Sequence, residues 1–236
     1  MVYQPIIDAS SGKISGFEAL ARWSDKLEGA VPPDIFIKLA DELDLSAALS
    51  KSIINKAISE CAATLHANPQ VYLSLNLSTS ELIDEEILTH LVYTCSKNGI
   101  CNSQIAIELL ETSTASLDLL QNRIQDYRHA GYLVFIDDFG TGYSSLAYLS
   151  RLSIDKIKID KIFTQSVGSV ASADMILIQI NEIARSIGAK VIYEGIETKA
   201  QLDAILAFNT QAFAQGWLFS KAIPIEQLRE KINLFR

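Results

Sequence analysis

The stretch Val134-Phe135-Ile136-Asp137-Asp138-Phe139-Gly140-Thr141-Gly142-Tyr143-Ser144-Ser145 decides how the rest of the chain is read. Its three leading apolar residues, preceded by Tyr132 and Leu133, read as a buried strand. That strand runs into two adjacent carboxylates, then into a loop whose glycines at 140 and 142 let the backbone turn tightly. Neighbouring strand residues point to opposite faces, so Asp137 and Asp138 reach one site only if the strand ends at them. A lone Asp-Asp pair reads as an acidic turn. What changes the reading is that a polar strand end recurs along the whole chain.

Outward from this stretch the sequence alternates strands and helices. Strands are expected at 71–76, 105–109, 133–137, 156–159, 190–194 and 212–217. Helices are expected between and after them at 81–97, 117–130, 146–149, 174–187, 200–208 and 225–234. Such alternation implies parallel pairing with right-handed crossovers. The N-terminal part differs. Two strands at 2–8 and 14–21 are too close for a parallel crossover and should form an antiparallel hairpin. After a polar loop, Pro32-Pro33-Asp34 starts a helix with Ile35, Phe36, Leu39, Ala40 and Leu43 as its apolar face, and a longer helix spans 47–66. Eight strands in this order suggest a closed (β/α)8 barrel of TIM type with its first strand antiparallel. An open doubly wound sheet is the competing architecture, but no dinucleotide fingerprint supports it.

Composition narrows the class. The 236 residues suit one domain, 1–236, and 49% apolar residues supply a large core. No apolar run is long enough to span a membrane, so membrane contact by this domain is not expected. A net charge of −8 argues against a nucleic-acid polymer as partner, yet leaves room for a small anion bound through divalent cations. Cys61, Cys95 and Cys101 form no CxxC pair, which fits a reducing cytoplasm. His66, His90 and His129 share no spacing, so a zinc or histidine-based mechanism is not expected.

Within or just past six strands stand Asn76, Glu108, Asp137, Lys158, Glu194 and Gln215, and the second strand adds Glu18. Parallel barrels carry their active sites at the C-terminal strand ends. That rim would gather several carboxylates, an amide oxygen and one ammonium, an arrangement that is costly without a cation. Oxygen donors without His or Cys select hard cations such as Mg²⁺ or Mn²⁺. Two side-by-side carboxylates suit a pair of metals bridged by one of them, the arrangement that activates water for displacement at phosphorus. Metal-dependent phosphoester hydrolysis follows as the leading chemistry, with enolisation by a lysine beside Mg²⁺ as a competitor.

The same residues resemble the EAL domains, bacterial phosphodiesterases of cyclic di-GMP. The resemblance is carried by Tyr3-Gln4-Pro5-Ile6-Ile7-Asp8, Glu18-Ala19-Leu20 with Arg22-Trp23, Leu75-Asn76-Leu77-Ser78 and Glu108-Leu109-Leu110-Glu111. It continues through Asp137 to Leu146, Lys158-Ile159-Asp160, Glu194-Gly195-Ile196-Glu197-Thr198 and Gln215 to Lys221. It implies hydrolysis of cyclic di-GMP to linear pGpG with two Mg²⁺ or Mn²⁺ ions per active site, Ca²⁺ supporting binding but poor turnover. Glu18, Asn76, Glu108 and Asp137 would hold one metal; Asp137, Asp138 and Glu194 would serve the second. Lys158 would orient the water or stabilise developing charge, with Gln215 nearby, and Glu111 would brace the loop from Asp138. Gln4, Leu20 and Arg22 would contact the ligand, Arg22 through a phosphate. The resemblance also implies a homodimer through the helix and loop after Asp138. It further implies a domain cut from a longer protein, one that works in the cytoplasm even where the whole is membrane-bound. The alternative is a degenerate EAL domain that binds cyclic di-GMP or a partner protein without hydrolysis.

Some positions depart from the family pattern. Leu110 replaces a usual Thr, Tyr193 a usual Ala beside Glu194, and Phe208-Asn209-Thr210 brings one extra residue before Gln215. Asn209 can take the left-handed helix cap that Gly normally fills. Trp217 is read as core packing rather than a guanine platform, Ser144 and Ser145 as caps of the following helix, and Asp84-Glu85-Glu86 as acids offsetting a helix dipole.

Overall fold

The structure is a computed structural model, and it describes residues 1–25, 27, 29–110, 116–140, 149 and 151–234. The hairpin comes first: β1 (Val2–Asp8) pairs antiparallel with β2 (Ile14–Leu20), with Gln4 opposite Glu18. Five of the next barrel strands run parallel to β2: β5 (Tyr72–Leu77), β6 (Ile105–Leu110), β7 (Leu133–Phe139), β8 (Lys156–Ile159) and β9 (Lys190–Tyr193). The two-residue β10 (Phe213–Ala214) is parallel to β9 and antiparallel to β1, which closes an eight-strand barrel. The expected barrel with one reversed strand is therefore the observed fold.

Period-two alternation builds two cores. Outward-facing strand residues such as Phe17, Leu73, Ile107, Val134 and Ile157 pack with helix residues including Ile54, Leu91, Ile124 and Leu177 into one large cluster. Inward-facing residues form a separate plug: Ile6, Tyr72, Ala106, Phe135, Ile192 and Phe213. Gly16 belongs to this layer by absence, because a Cβ there would collide with the Tyr72 ring. Two positions further along the other strands, and four along β5 past Ser74, the inward residues become Gln4, Glu18, Asn76, Glu108, Asp137, Lys158, Glu194 and Gln215. The barrel is apolar and aromatic below, charged above.

Several boundaries differ from the sequence reading, each for a local reason. The helix expected at 81–97 is two, Thr79–Ile83 and Glu85–Lys97, because Asp84 leaves the helical region and caps the second by accepting from Glu86 N. Ser78 and Glu81 form a reciprocal capping box on the first. A one-turn helix, Lys161–Thr164, follows β8, and the next helix starts at Ala171 rather than 174. The loop before Pro33 contains a small hairpin, β3 (Trp23–Asp25) with β4 (Gly29–Val31). In the helix Pro33–Glu42 only Phe36 of the expected apolar face is buried; Ile35, Leu39 and Leu43 are exposed. The last strand is two residues long instead of six. The helix expected at 146–149 falls almost wholly outside the described residues.

Candidate active site

Four of the rim carboxylates converge on Lys158. Its buried ammonium lies 2.8 Å from Glu108 Oε2, 2.8 Å from Glu194 Oε1, 3.1 Å from Asp137 Oδ1 and 3.4 Å from Glu18 Oε2. Each carboxylate comes from a different strand end, so the barrel's closure, not sequence proximity, assembles the group. Asn76 donates to Glu18 Oε1 at 2.8 Å, and Gln215 donates to Glu18 Oε2 at 2.8 Å. The short β10 still delivers Gln215, because the residue past a strand end continues its alternation. Gln4, expected to touch a ligand, lies beside this group: it accepts from Gln215 at 3.2 Å and donates to the Ser220 carbonyl at 3.2 Å.

Asp138 corrects the reading of its own strand. β7 does not stop at Asp137 but runs on to Phe139, with the register to β8 shifting between Ile136 and Phe139. Within that bulge Asp138 has φ +52°, left-handed backbone that a non-glycine residue seldom adopts. The bulge, not a strand end, turns two consecutive carboxylates toward one side: ligand oxygens of Asp137, Asp138 and Glu194 all lie within 4.8 Å of one another. Glu18, Glu108 and Asp137 form a second such group, so Asp137 belongs to both.

The electrostatics follow from burial against one shared cation. Burial works against the Lys158 ammonium, yet Glu108, Glu18, Glu194 and Asp137 outweigh it and raise its pKa well above the ordinary lysine value. Burial also pushes Glu18 upward, but Lys158, Asn76 and Gln215 together hold it below the usual range. Glu108 is raised well above that range, first by burial, with Glu18 and Asp137 adding repulsion that Lys158 does not cancel. Burial lifts Glu194 to about 7, against the pull of Lys158, and raises Asp138, with Asp137 and Asp160 adding to it. One ammonium does not neutralise five acids.

The donor set fits hard cations. It is all oxygen, carboxylates plus the Asn76 and Gln215 amides, and among the described residues Glu108 Oε1 and Gln215 Oε1 are buried without a hydrogen-bond partner. Unpaired buried acceptors at a site of excess negative charge are what a bound cation would satisfy.

Other expected residues lie apart or outside. Leu20 ends β2 half-buried, and Arg22 is exposed, donates to the Ala21 carbonyl at 2.7 Å and lines an apolar groove with Trp23, Phe36 and Leu39. Glu111, and the Ser144 and Ser145 caps, lie outside the described residues, as does most of the segment expected to pair two copies. Trp217 is not core: it is 63% exposed, with Lys221 Nζ 4.6 Å from the ring centroid. Asn209 has extended backbone, φ −137°, rather than a left-handed cap, and its side chain donates to Asn181 and to the Tyr193 hydroxyl. Tyr193 adds its bulk on the barrel's outer side, edge-on to Phe208, away from Glu194. His66 and His90 bond Gly99 and Asn55, not the carboxylates. Thr164, which no motif marks, and Gln201, the N3 member of a Thr198-x-x-Gln201 capping box, hold the backbone around Glu194.

A closed barrel with one reversed strand, carrying a carboxylate, lysine and amide cluster at its C-terminal mouth, defines a narrow class of proteins. The EAL domain family model matches residues 1–222, and the chain belongs to that family. It is 38% identical over 224 residues to the probable cyclic di-GMP phosphodiesterase PdeB of Escherichia coli (strain K12), covering 95% of this chain and 42% of PdeB. The chain thus spans less than half the length of that relative. Among solved structures it is similar to the PaMucR phosphodiesterase in complex with c-di-GMP, at 28% identity and a TM-score of 0.88 over 96% of this chain and 92% of that one. It is also similar to the EAL enzyme Bd1971 in its cAMP and cyclic-di-GMP bound form, at 28% identity and a TM-score of 0.90 over 98% of this chain and 64% of that one.

Proposed function

We propose that the chain hydrolyses cyclic di-GMP to linear pGpG, with Mg²⁺ or Mn²⁺ held by its strand-end carboxylates. The observation that carries this reading is the placement of Asp137 in two overlapping carboxylate groups around one buried lysine. Glu18, Asn76, Glu108 and Asp137 would hold one ion; Asp137, Asp138 and Glu194 would hold the other. Bound there, such ions supply Lewis acidity and a water of lowered pKa.

The chain's own residues do the rest. Lys158, fixed by four carboxylates, presents permanent positive charge where negative charge develops on the phosphate. Glu194 would hold its ion beside Asp137 and Asp138, with its carboxylate kept in place by the Lys158 ammonium at 2.8 Å. Gln215 and Asn76 hold Glu18 in one orientation, and Gln4 supports Gln215 from behind. Leu20, at the end of β2, and Arg22, just past it, would meet the ligand from the rim, and Glu111 would brace the Asp138 loop. The three cysteines, all unpaired, support a reducing cytoplasmic compartment, and among the described residues no helix is long and apolar enough to cross a membrane.

Relatives support the substrate: PdeB is named a probable cyclic di-GMP phosphodiesterase, and PaMucR binds c-di-GMP. The test is a chromatographic assay of cyclic di-GMP with Mn²⁺, set beside ligand binding in Ca²⁺. Conversion to pGpG in Mn²⁺ and binding with little turnover in Ca²⁺ are expected. Binding without turnover in either metal would instead identify a receptor.

A further inference from the structure

Glu194 lies one residue beyond β9, so the sheet ladder alone does not hold it. What holds it is the segment that follows Lys158. Asp160 caps the one-turn helix Lys161–Thr164 by accepting from Ile162 N at 2.8 Å. At the end of that turn Thr164 is fully buried, and its hydroxyl donates to the Glu194 carbonyl, with the Lys161 carbonyl 3.2 Å away as a second acceptor. The amide of Glu194 donates to Ile159 O at 3.1 Å. Both sides of the Glu194 backbone are therefore tied to the strand and turn that carry Lys158.

Two further contacts keep this clamp in place. Gly195 has φ +66°, and a Cβ there would collide with Lys161, so the turn packs directly against the backbone next to Glu194. Gln201 locks the other side. Its Oε1 accepts from Glu197 N and Thr198 N, each at 2.9 Å, while its Nε2 donates to the Gln165 carbonyl at 3.3 Å and the Thr164 carbonyl at 3.5 Å.

We propose that Thr164 is a positioning residue for Glu194: its hydroxyl fixes the Glu194 carbonyl and so the aim of the carboxylate. The proposal rests on the reading of Glu194 as a metal-binding residue of the hydrolysis. A valine at 164 has the shape of threonine but no donor, so the Glu194 carbonyl must turn to find another partner. A turn of that peptide swings the carboxylate away from Lys158 and from Asp137 and Asp138. Misplacing a reacting group by a fraction of an ångström is costly to rate even where the fold survives.

The experiment compares the parent with Thr164→Val, Thr164→Ser and Thr94→Val. Thr94 is an equally buried threonine whose hydroxyl donates to Asn55 at 2.9 Å, far from the carboxylates in the fold. Mn²⁺ affinity is measured by calorimetry without substrate, alongside Tm and steady-state hydrolysis of cyclic di-GMP. Thr164→Val should weaken Mn²⁺ binding about five- to tenfold and lower kcat about tenfold, with KM within about twofold, the scale of one lost buried hydrogen bond. Thr164→Ser should restore both. Thr94→Val should lose Tm alone. Unchanged Mn²⁺ affinity in Thr164→Val, or an equal loss in Thr94→Val, overturns the proposal. A parent that binds Mn²⁺ but does not turn over cyclic di-GMP overturns the proposed function, and calorimetry then decides the role of Thr164 by itself.

Discussion

Lys156 and Lys158 stand two residues apart on β8, both pointing into the barrel and both buried, yet their surroundings are opposite. Lys158 lies among four carboxylates, and its charge is locked on. Lys156 lies one layer down among rings: its Nζ is 3.6 Å from the Phe213 centroid, 4.3 Å from Tyr72 and 5.3 Å from Phe135, and it donates to Tyr72 OH at 2.9 Å. There burial, with repulsion from Lys190, pushes its pKa down to about 7, while Glu108, Asp155 and Asp8 pull the other way. One strand thus carries the same side chain into two dielectric settings. The upper layer spends stability to hold charge for chemistry, and the lower layer holds the barrel shut.

The comparison breaks first at Glu18. Glu18→Ala removes a carboxylate that Lys158, Asn76 and Gln215 all touch, and hydrolysis should fall below detection while the far-ultraviolet circular dichroism and folding transition persist. Turnover at the parent rate would detach the carboxylate cluster from function. Next comes the pair itself. Lys158→Ala should cut kcat by on the order of a hundredfold or more, the cost of one transition-state donor, whereas Lys156→Met should leave kcat within about threefold. Steady-state kinetics on both variants would show whether the two layers divide labour in this way.

Much of the upper layer was legible in the sequence, and for a physical reason. Strand alternation forces every second residue inward, so polar residues at strand ends must share one mouth once the barrel closes. Glu18, Asn76, Glu108, Asp137, Lys158, Glu194 and Gln215 could all be picked out that way. Asp138 could not, because its aim depends on a bulge and a left-handed φ that no residue pattern announces. Trp217 misled for the opposite reason: an aromatic residue beside a strand looks like core, and here it is exposed. Alternation turns Lys156 inward with Lys158, but its apolar setting comes from three rings on other strands that no local pattern announces. Thr164 carries no signal at all, as its partner is a main-chain carbonyl thirty residues away.

Smaller perturbations sharpen the lower half of the contrast. Gly16→Ala forces a methyl into the Tyr72 ring and should destabilise the fold by about 1–3 kcal/mol, the usual cost of overpacking. Urea unfolding would read this as a lower midpoint with kcat per folded molecule little changed. Lys156 supplies a pH signature. Its folded pKa, about 7, is below its unfolded value, so the unfolded chain binds more protons between about pH 7 and 10.5. Stability contributed by this residue therefore rises with pH across that window and is lost as pH falls through it. Lys156→Met should flatten the slope, by up to roughly 5 kcal/mol over the window, when thermal or urea midpoints of parent and variant are compared at several pH values.

The most direct test of the divided barrel is a Mn²⁺ titration by calorimetry on the parent and on Asp137→Asn, since among the described residues Asp137 alone belongs to both carboxylate groups. The expected result is two ions per parent chain, with both binding events weakened at least tenfold in the variant, because one carboxylate serves both positions. A parent that binds no Mn²⁺, or a variant whose two sites bind as tightly as the parent's, would contradict a shared two-metal centre at the mouth of this barrel.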